Sequence, residues 1–182
     1  TSRYRAMLLK RLGLDFTAVA PDVDERAVDL PPVELSQELA KQKALAVFQQ
    51  YPNTVVIGSD QVPALDDLIL TKPGTTERAA AQLEALSGRT HRLITSVCVA
   101  SPAGVELHTD IHRLTLRPLT RRAIESYVQR DQPLDCAGAY KIESLGISLM
   151  QKIEGDDFTA ITGLPLIATT QMLANAGISV LA

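Results

Sequence analysis

Cysteine, long apolar runs and clustered positive charge are scarce in this 182-residue sequence, and each shortage removes a class of protein. Cys98 and Cys136 are the only cysteines. They lie far apart in apolar surroundings, with neither metal-ligand spacing nor a paired framework, so the expectation is two core thiols in a reduced, cytoplasmic protein. No apolar run approaches the roughly 20 residues needed to cross a bilayer, and no signal peptide is visible. The 18 Lys and Arg residues are dispersed and the net charge is −3. Without a basic stripe there is no footprint for a nucleic-acid polymer. Neither GxxxxGKS/T nor GxGxxG occurs, which removes the two standard nucleotide cradles. His91, His108 and His112 lie in or beside strand-like segments, and no helical pattern puts them on one face as metal ligands, so they receive no role.

What is present is the balance of an ordinary globular protein, 46% hydrophobic and 21% charged. The length suits one domain over residues 1–182, without internal repeat or low-complexity linker. Val55-Val56-Ile57-Gly58-Ser59-Asp60 reads as a buried strand of parallel type that ends by delivering Asp60 to a cleft. Before it, the pattern predicts a helix from Arg3 to Leu12, a short strand over Asp15–Ala18, and the exposed acidic run Asp22-Val23-Asp24-Glu25. A second helix is predicted from Ser36, as cap, to about Tyr51, with Leu39, Leu45, Ala46 and Phe48 facing inward. After Asp60, Val62–Leu65 and Leu68–Leu70 flank Asp66-Asp67 as a hairpin that would return Lys72 towards Asp60. Thr75 or Thr76 caps a helix to Leu86. Two long β segments follow, Thr90–Ala100 and Val105–Leu116, joined by Ser101-Pro102-Ala103-Gly104. Another helix runs to about Arg130, a strand covers Ile147–Ile153, and Gly163-Leu164-Pro165 opens a last helix with Ile167, Met172 and Leu173 on its apolar face. Helices alternating with long antiparallel neighbours predict an α/β fold around a mixed, strongly twisted sheet.

The chemistry-bearing residues divide by charge. Ser2-Arg3-Tyr4-Arg5 at a helix start is either an anion site or a pair of solvated first-turn arginines. Lys41 and Lys43 point in different directions, and periodicity does not say which one reaches a site. Carboxylates at Asp24, Glu25, Asp60 and Glu143, with cations at Arg3, Arg5, Lys43, Lys72 and Lys141, suit a magnesium-bound polyphosphate. Carboxylates bind the hard cation or activate water, while Arg and Lys neutralise phosphate oxygens.

The segments Thr1-Ser2-Arg3-Tyr4-Arg5, Ala20-Pro21-Asp22-Val23-Asp24-Glu25, Leu39-Ala40-Lys41-Gln42-Lys43-Ala44, Ile57-Gly58-Ser59-Asp60-Gln61-Val62, Lys72-Pro73, Ser87-Gly88, Cys136-Ala137-Gly138-Ala139-Tyr140 and Gly163-Leu164-Pro165-Leu166 resemble, in order and spacing, the Maf family of nucleoside triphosphate pyrophosphatases. The resemblance covers nearly the whole chain. It implies a mixed α/β fold with an elongated sheet and a cleft between two lobes, like that of the inosine triphosphate pyrophosphatases. It also implies a metal-dependent hydrolase that splits the α–β phosphoanhydride of a nucleotide, using magnesium or else manganese or cobalt. Asp60 and Glu25 become the carboxylates that organise metal or act as base. Lys72 joins them in catalysis, Arg5 and Lys43 neutralise phosphate, and Ser2 is a hydroxyl of the first phosphate loop. The family begins with a strand and a further Ser, which are expected upstream of Thr1. A homodimer is common in families like this.

Within the family, Gln61, Glu143 and Tyr4 resemble the branch that acts on 7-methyl-GTP, whereas members acting on dTTP and UTP carry Thr and Gln at the first two positions. N7 methylation leaves the purine cationic. A carboxylate at Glu143 can accept from its N–H edge, and Tyr4 can stack on the charged ring. The implied role is house-cleaning of modified nucleotides. The alternatives are the same reaction on dTTP and UTP, or a nucleotide-binding regulator of cell division that does not hydrolyse.

Overall fold

The computed structural model describes residues 2–25 and 28–181; Thr1, which opens the first motif, lies outside them. The elements are α1 (Arg3–Lys10), α2 (Pro32–Phe48), β1 (Val56–Leu65), β2 (Leu68–Ile69), α3 (Thr76–Leu86), β3 (Thr90–Ser101), β4 (Gly104–Leu116), α4 (Arg121–Asp131), β5 (Met150–Glu154) and α5 (Leu166–Asn175). The class is α/β, with five strands in the order β2-β1-β3-β4-β5. By internal contacts the chain forms two compact units. The first comprises Thr1–Gln61, Thr95–Asp110 and Asp157–Ala182, the second Val62–Ile94 and Ile111–Asp156.

In the first unit, α1 and α5 supply Leu8, Leu166 and Met172 to a core completed by Val97 and Val99 of β3 and by Leu164. Helix α2 starts at Pro32, four residues before the expected Ser36, because Pro at the first helical position has φ already set and no N–H to lose. Ser36 therefore lies inside the helix, fully buried. Of the residues of α2 expected to face inward, Leu39 is buried, whereas Leu45, Ala46 and Phe48 are only partly so, and the deepest hydrophobic positions belong to two alanines. Ala40 and Ala44 pack on Cys98 and Ala100 of β3, with Leu45 and Phe48 only partly buried beside them. Small side chains are required because α2 lies almost on the backbone of β1. A Cβ on Gly58 would fall on the Ala40 carbonyl oxygen and within 2.5 Å of the Ala44 nitrogen.

The second unit begins with the predicted hairpin. Ala64 pairs antiparallel with Ile69 and Leu65 with Leu68, across a loop in which Asp66 takes a left-handed φ of 56° that Asp tolerates better than most residues. Helix α3 is capped as predicted, by Thr75 onto the Arg78 N–H; α4 begins just after Pro118-Leu119-Thr120, where Thr120 caps it onto the Ala123 N–H, and the two helices pack together. Strand β5 pairs antiparallel with the end of β4, with an irregularity between Thr115 and Leu116. His91 and Tyr140 are buried here, joined Nε2 to Oη at 2.7 Å.

Four further expectations are corrected. Residues 14–20 form no strand; Leu14, Phe16 and Ala18 alternate with Asp15 and Thr17, but the segment takes no place in the sheet order. The span expected as a strand from Ile147 is a 3-10 turn over Leu145–Leu149 before β5. Ile167 is 67% exposed, so the buried stripe of α5 is Leu166, Thr169, Met172 and Leu173. Strand β1, finally, neither ends at Asp60 nor behaves as a parallel strand at its far end. It runs on to Leu65 and pairs antiparallel with β2. An unbroken apolar run signals burial on both faces but carries no information on strand direction.

Candidate active site

Gly58-Ser59-Asp60-Gln61 is one strand segment with two opposite faces, since successive side chains alternate across a strand. Gly58 and Asp60 share the α2 face. The absent side chain at Gly58 lets α2 approach, and the approach puts Lys43 beside Asp60, with Nζ 2.6 Å from Oδ1. The same Nζ lies 2.7 Å from Oε1 of Glu25. Lys43 and Asp60 are almost withdrawn from solvent, with side-chain exposures of 13% and 10%, whereas Glu25 is 56% exposed. The structure thus chooses between the two lysines of α2, because Lys41 is exposed. Ser36, about two helical turns before Lys43, has Oγ 3.3 Å from the Asp60 carbonyl oxygen and 2.9 Å from Ser96 Oγ. Read from sequence as a cap, Ser36 instead ties α2 to the backbone of the catalytic candidate. Only its burial reveals this.

Arg5 joins the group from α1. Its Nε donates to the Gly163 carbonyl at 2.8 Å. Burial pushes its pKa down, and the Asp60 and Glu25 carboxylates oppose that shift, which places the guanidinium in their field; an arginine stays charged throughout. Two cations and two carboxylates therefore converge within the first unit, a set that is neutral as it stands.

The remaining expected residues sit as follows. Ser2 caps α1, accepting from the Arg5 N–H at 3.4 Å. Tyr4 is half-buried and has the Arg3 guanidinium over its ring at 5.3 Å. Gln61, on the face opposite Asp60, has Nε2 within 2.9 Å of Thr95 Oγ1, 2.9 Å of the Ala160 carbonyl and 3.1 Å of the Ile161 carbonyl. Lys72 and Glu143 are exposed residues of the second unit. Lys141 closes the end of α4, donating to the Asp131 and Gln132 carbonyls and pairing with Asp135 at 3.5 Å. Among the described residues no cluster of three or more His, Cys, Asp or Glu side chains could hold a metal ion unaided. No helix is long and apolar enough to cross a membrane.

Two carboxylates sharing a buried ammonium, with a fixed guanidinium beside them, are an arrangement for an oxyanion ligand and a hard cation. The motifs that build it belong to one family, for residues 1–176 match the Maf family, described as Maf-like protein. The chain is a member of the Maf family. Among its relatives, a protein of Pseudomonas putida is 45% identical over 183 residues, spanning 99% of this chain and 95% of its own. One of Bdellovibrio bacteriovorus is 46% identical, spanning 98% and 95%, and one of Nitrosococcus oceani is 46% identical, spanning 100% and 92%. All three relatives are named 7-methyl-GTP pyrophosphatase. The charged candidates Arg5, Glu25, Lys43 and Asp60 lie in the first unit, and two residues without an assigned role of their own in the sequence motifs join them: the Gly163 carbonyl accepts from both Arg5 and Ser59. Their signal was adjacency: Ser59 precedes Asp60, and Gly163 opens the last helix.

Proposed function

We propose that this Maf protein hydrolyses 7-methyl-GTP to 7-methyl-GMP and pyrophosphate, removing modified nucleotides from the cytoplasmic pool. The observation that carries the reading is the bridge of Lys43 between Asp60 and Glu25 with Arg5 alongside, on a chain 45–48% identical to relatives of that name. Water adds across the α–β phosphoanhydride, the bridging P–O bond breaks, and pyrophosphate is released. The barrier is mainly the charge on the phosphate oxygens. Arg5 and Lys43 neutralise those oxygens, and Asp60 orients the water and takes its proton.

The donor set fits a divalent cation. Asp60 and Glu25 bring two hard carboxylate groups to the same ammonium. A small hard cation such as magnesium needs only one or two carboxylates when substrate phosphates and water complete its shell. The protein groups alone also sum to no net charge against a polyanion. When bound, the cation would supply Lewis-acid polarisation and charge neutralisation at the phosphates.

The roles implied for Lys72 and Glu143 belong to the same proposal and are tested on each residue by itself. Glu143→Gln should lower turnover of 7-methyl-GTP relative to dTTP, because a neutral amide no longer offsets the cationic base. The deciding experiment is a pyrophosphate-release screen over 7-methyl-GTP, GTP, dTTP and UTP, with and without magnesium. The expected result is magnesium-dependent release, with 7-methyl-GTP the preferred substrate. A preference for dTTP and UTP would overturn the substrate, and nucleotide binding without release would overturn the reaction.

A further inference from the structure

The two residues flanking Asp60 do something other than face a ligand. Ser59 and Gln61 lie on the side of β1 away from α2, and both reach the turn that runs from Ala160 to Gly163. The Ala160 carbonyl accepts from Gln61 Nε2 at 2.9 Å, from Thr95 Oγ1 at 3.0 Å and from the Gly163 N–H at 2.9 Å. The Ile161 carbonyl lies 3.1 Å from the same Gln61 nitrogen. Ser59 Oγ donates to the Gly163 carbonyl at 2.9 Å, and Arg5 Nε donates to that same oxygen at 2.8 Å. Gly163 itself takes φ 109°, a conformation open to glycine and strained for any L side chain. A Cβ there would stand in van der Waals contact with Arg5 Nε, at 3.4 Å.

The consequence for Arg5 is geometric. With Nε tied to a carbonyl that Ser59 also holds, the guanidinium plane is fixed. Among the described residues no hydrogen bond occupies its two terminal nitrogens. A planar fork held by one edge presents the other to an oxyanion with little further loss of side-chain freedom, which is how an arginine acquires directionality that a lysine lacks.

We propose that Ser59 and Gln61 are positioning residues for Arg5. Through the Ala160–Gly163 turn they set the orientation of its guanidinium towards the phosphates, so the segment Ser59-Asp60-Gln61 places the carboxylate and the cation from a single strand. This rests on the phosphate reading of the site and assigns the Gln61 amide to holding the turn rather than to contacting a base.

The experiment is a double-mutant cycle between Ser59→Ala and Arg5→Ala, read as the dissociation constant of inorganic pyrophosphate by titration calorimetry and, in the active proteins, as kcat/KM for pyrophosphate release. A residue that acts through another loses its effect when that other is removed. Ser59→Ala is expected to weaken pyrophosphate binding about tenfold in the wild-type background and less than twofold in the Arg5→Ala background. Ser59→Thr, which keeps the hydroxyl, should restore binding. Equal losses in both backgrounds, or no loss at all, would overturn the proposal by making Ser59 merely structural. Should Ser59→Ala fail to fold by thermal melting, Gln61→Met enters the same cycle with the same expected non-additivity. If instead wild-type protein does not bind pyrophosphate, or Arg5→Ala binds it as wild type does, the phosphate reading fails while the hydrogen-bond network stands.

Discussion

Replacing Gly58 by Ala adds one methyl group at the point where α2 meets β1. The new Cβ would fall on the Ala40 carbonyl oxygen and stand 2.5 Å from the Ala44 nitrogen and 2.9 Å from its Cα. All are backbone atoms, so no rotamer change relieves them, and α2 must retreat as a body. Moving the Ala44 nitrogen from 2.5 Å to the 3.4 Å at which ordinary contact begins is a shift of about 1 Å. Overpacking of this kind costs about 2 kcal/mol, which for a domain of this size lowers Tm by roughly 4–8 °C. Lys43 precedes Ala44 and moves with it, so its 2.6 Å bond to Asp60 would lengthen beyond hydrogen-bond range unless the lysine chain extends. Misplacement of a charged group by about 1 Å can reduce turnover on the order of a hundredfold. Circular dichroism melts and pyrophosphate release, measured on the same preparation, test both halves. The expected result is a folded protein with a depressed Tm and a much larger fall in kcat/KM than in folded fraction. An unchanged Tm would refute the close approach of α2 to β1, and a depressed Tm with turnover within threefold of wild type would refute the link from that approach to the site.

Other substitutions probe single interactions. Lys43→Met removes the ammonium shared by Asp60 and Glu25 and leaves the buried Asp60 carboxylate without its ion pair. About 3 kcal/mol of stability should be lost at this pair in urea unfolding, with little of it from the exposed Glu25 partner; loss of less than 1 kcal/mol would mean that Asp60 is solvated. Asp157→Ala deletes a buried carboxylate that accepts from Thr159 N, Thr159 Oγ1 and Ile167 N at 2.9, 2.6 and 2.7 Å. The orphaned donors of Thr159 and of Ile167 at the start of α5 should cost about 3 kcal/mol, seen as a lower urea midpoint at unchanged slope. Burial pushes the pKa of His91 down from 6.5 to about 4. Its neutral form is favoured by folding, so the contribution is complete above pH 6.5 and is lost as pH falls towards 4, about 3 kcal/mol in all. Unfolding free energies at pH 7 and 4.5 should therefore converge between His91→Gln and wild type as pH falls; a difference independent of pH would refute the assignment.

Much of this fold was legible because its signals are local. Thr75 and Thr120 each place a hydroxyl just before an apolar helical pattern, and each caps its helix. Asp66-Asp67 between two apolar runs gave a hairpin because the preferences of a two-residue loop are contained in four or five neighbouring residues. The charged candidates Arg5, Glu25, Lys43 and Asp60 were likewise visible as residue types in motifs that, in order, mark the Maf family. Where local chemistry misled, a distant partner had intervened. Ser36 has the composition of a cap but is withdrawn into the helix to reach Asp60 and Ser96. Ile147 has the composition of a strand but belongs to a 3-10 turn.

The sequence by itself determined that Asp60 stands in an apolar strand and that cations and carboxylates recur in an order suited to phosphate chemistry. Only the tertiary structure decided what each residue beside Asp60 is for. Gly58 admits α2, Asp60 takes Lys43 rather than leaving the choice between two lysines open, and Ser59 and Gln61 turn the other way, Ser59 to the Gly163 carbonyl that also accepts from Arg5 and Gln61 to the Ala160 and Ile161 carbonyls of the same turn. The reason is physical. Alternation along a strand tells which residues share a face, but the groups meeting each face come from other elements, as far as 104 positions away, a separation at which no periodicity in the chain records the partner.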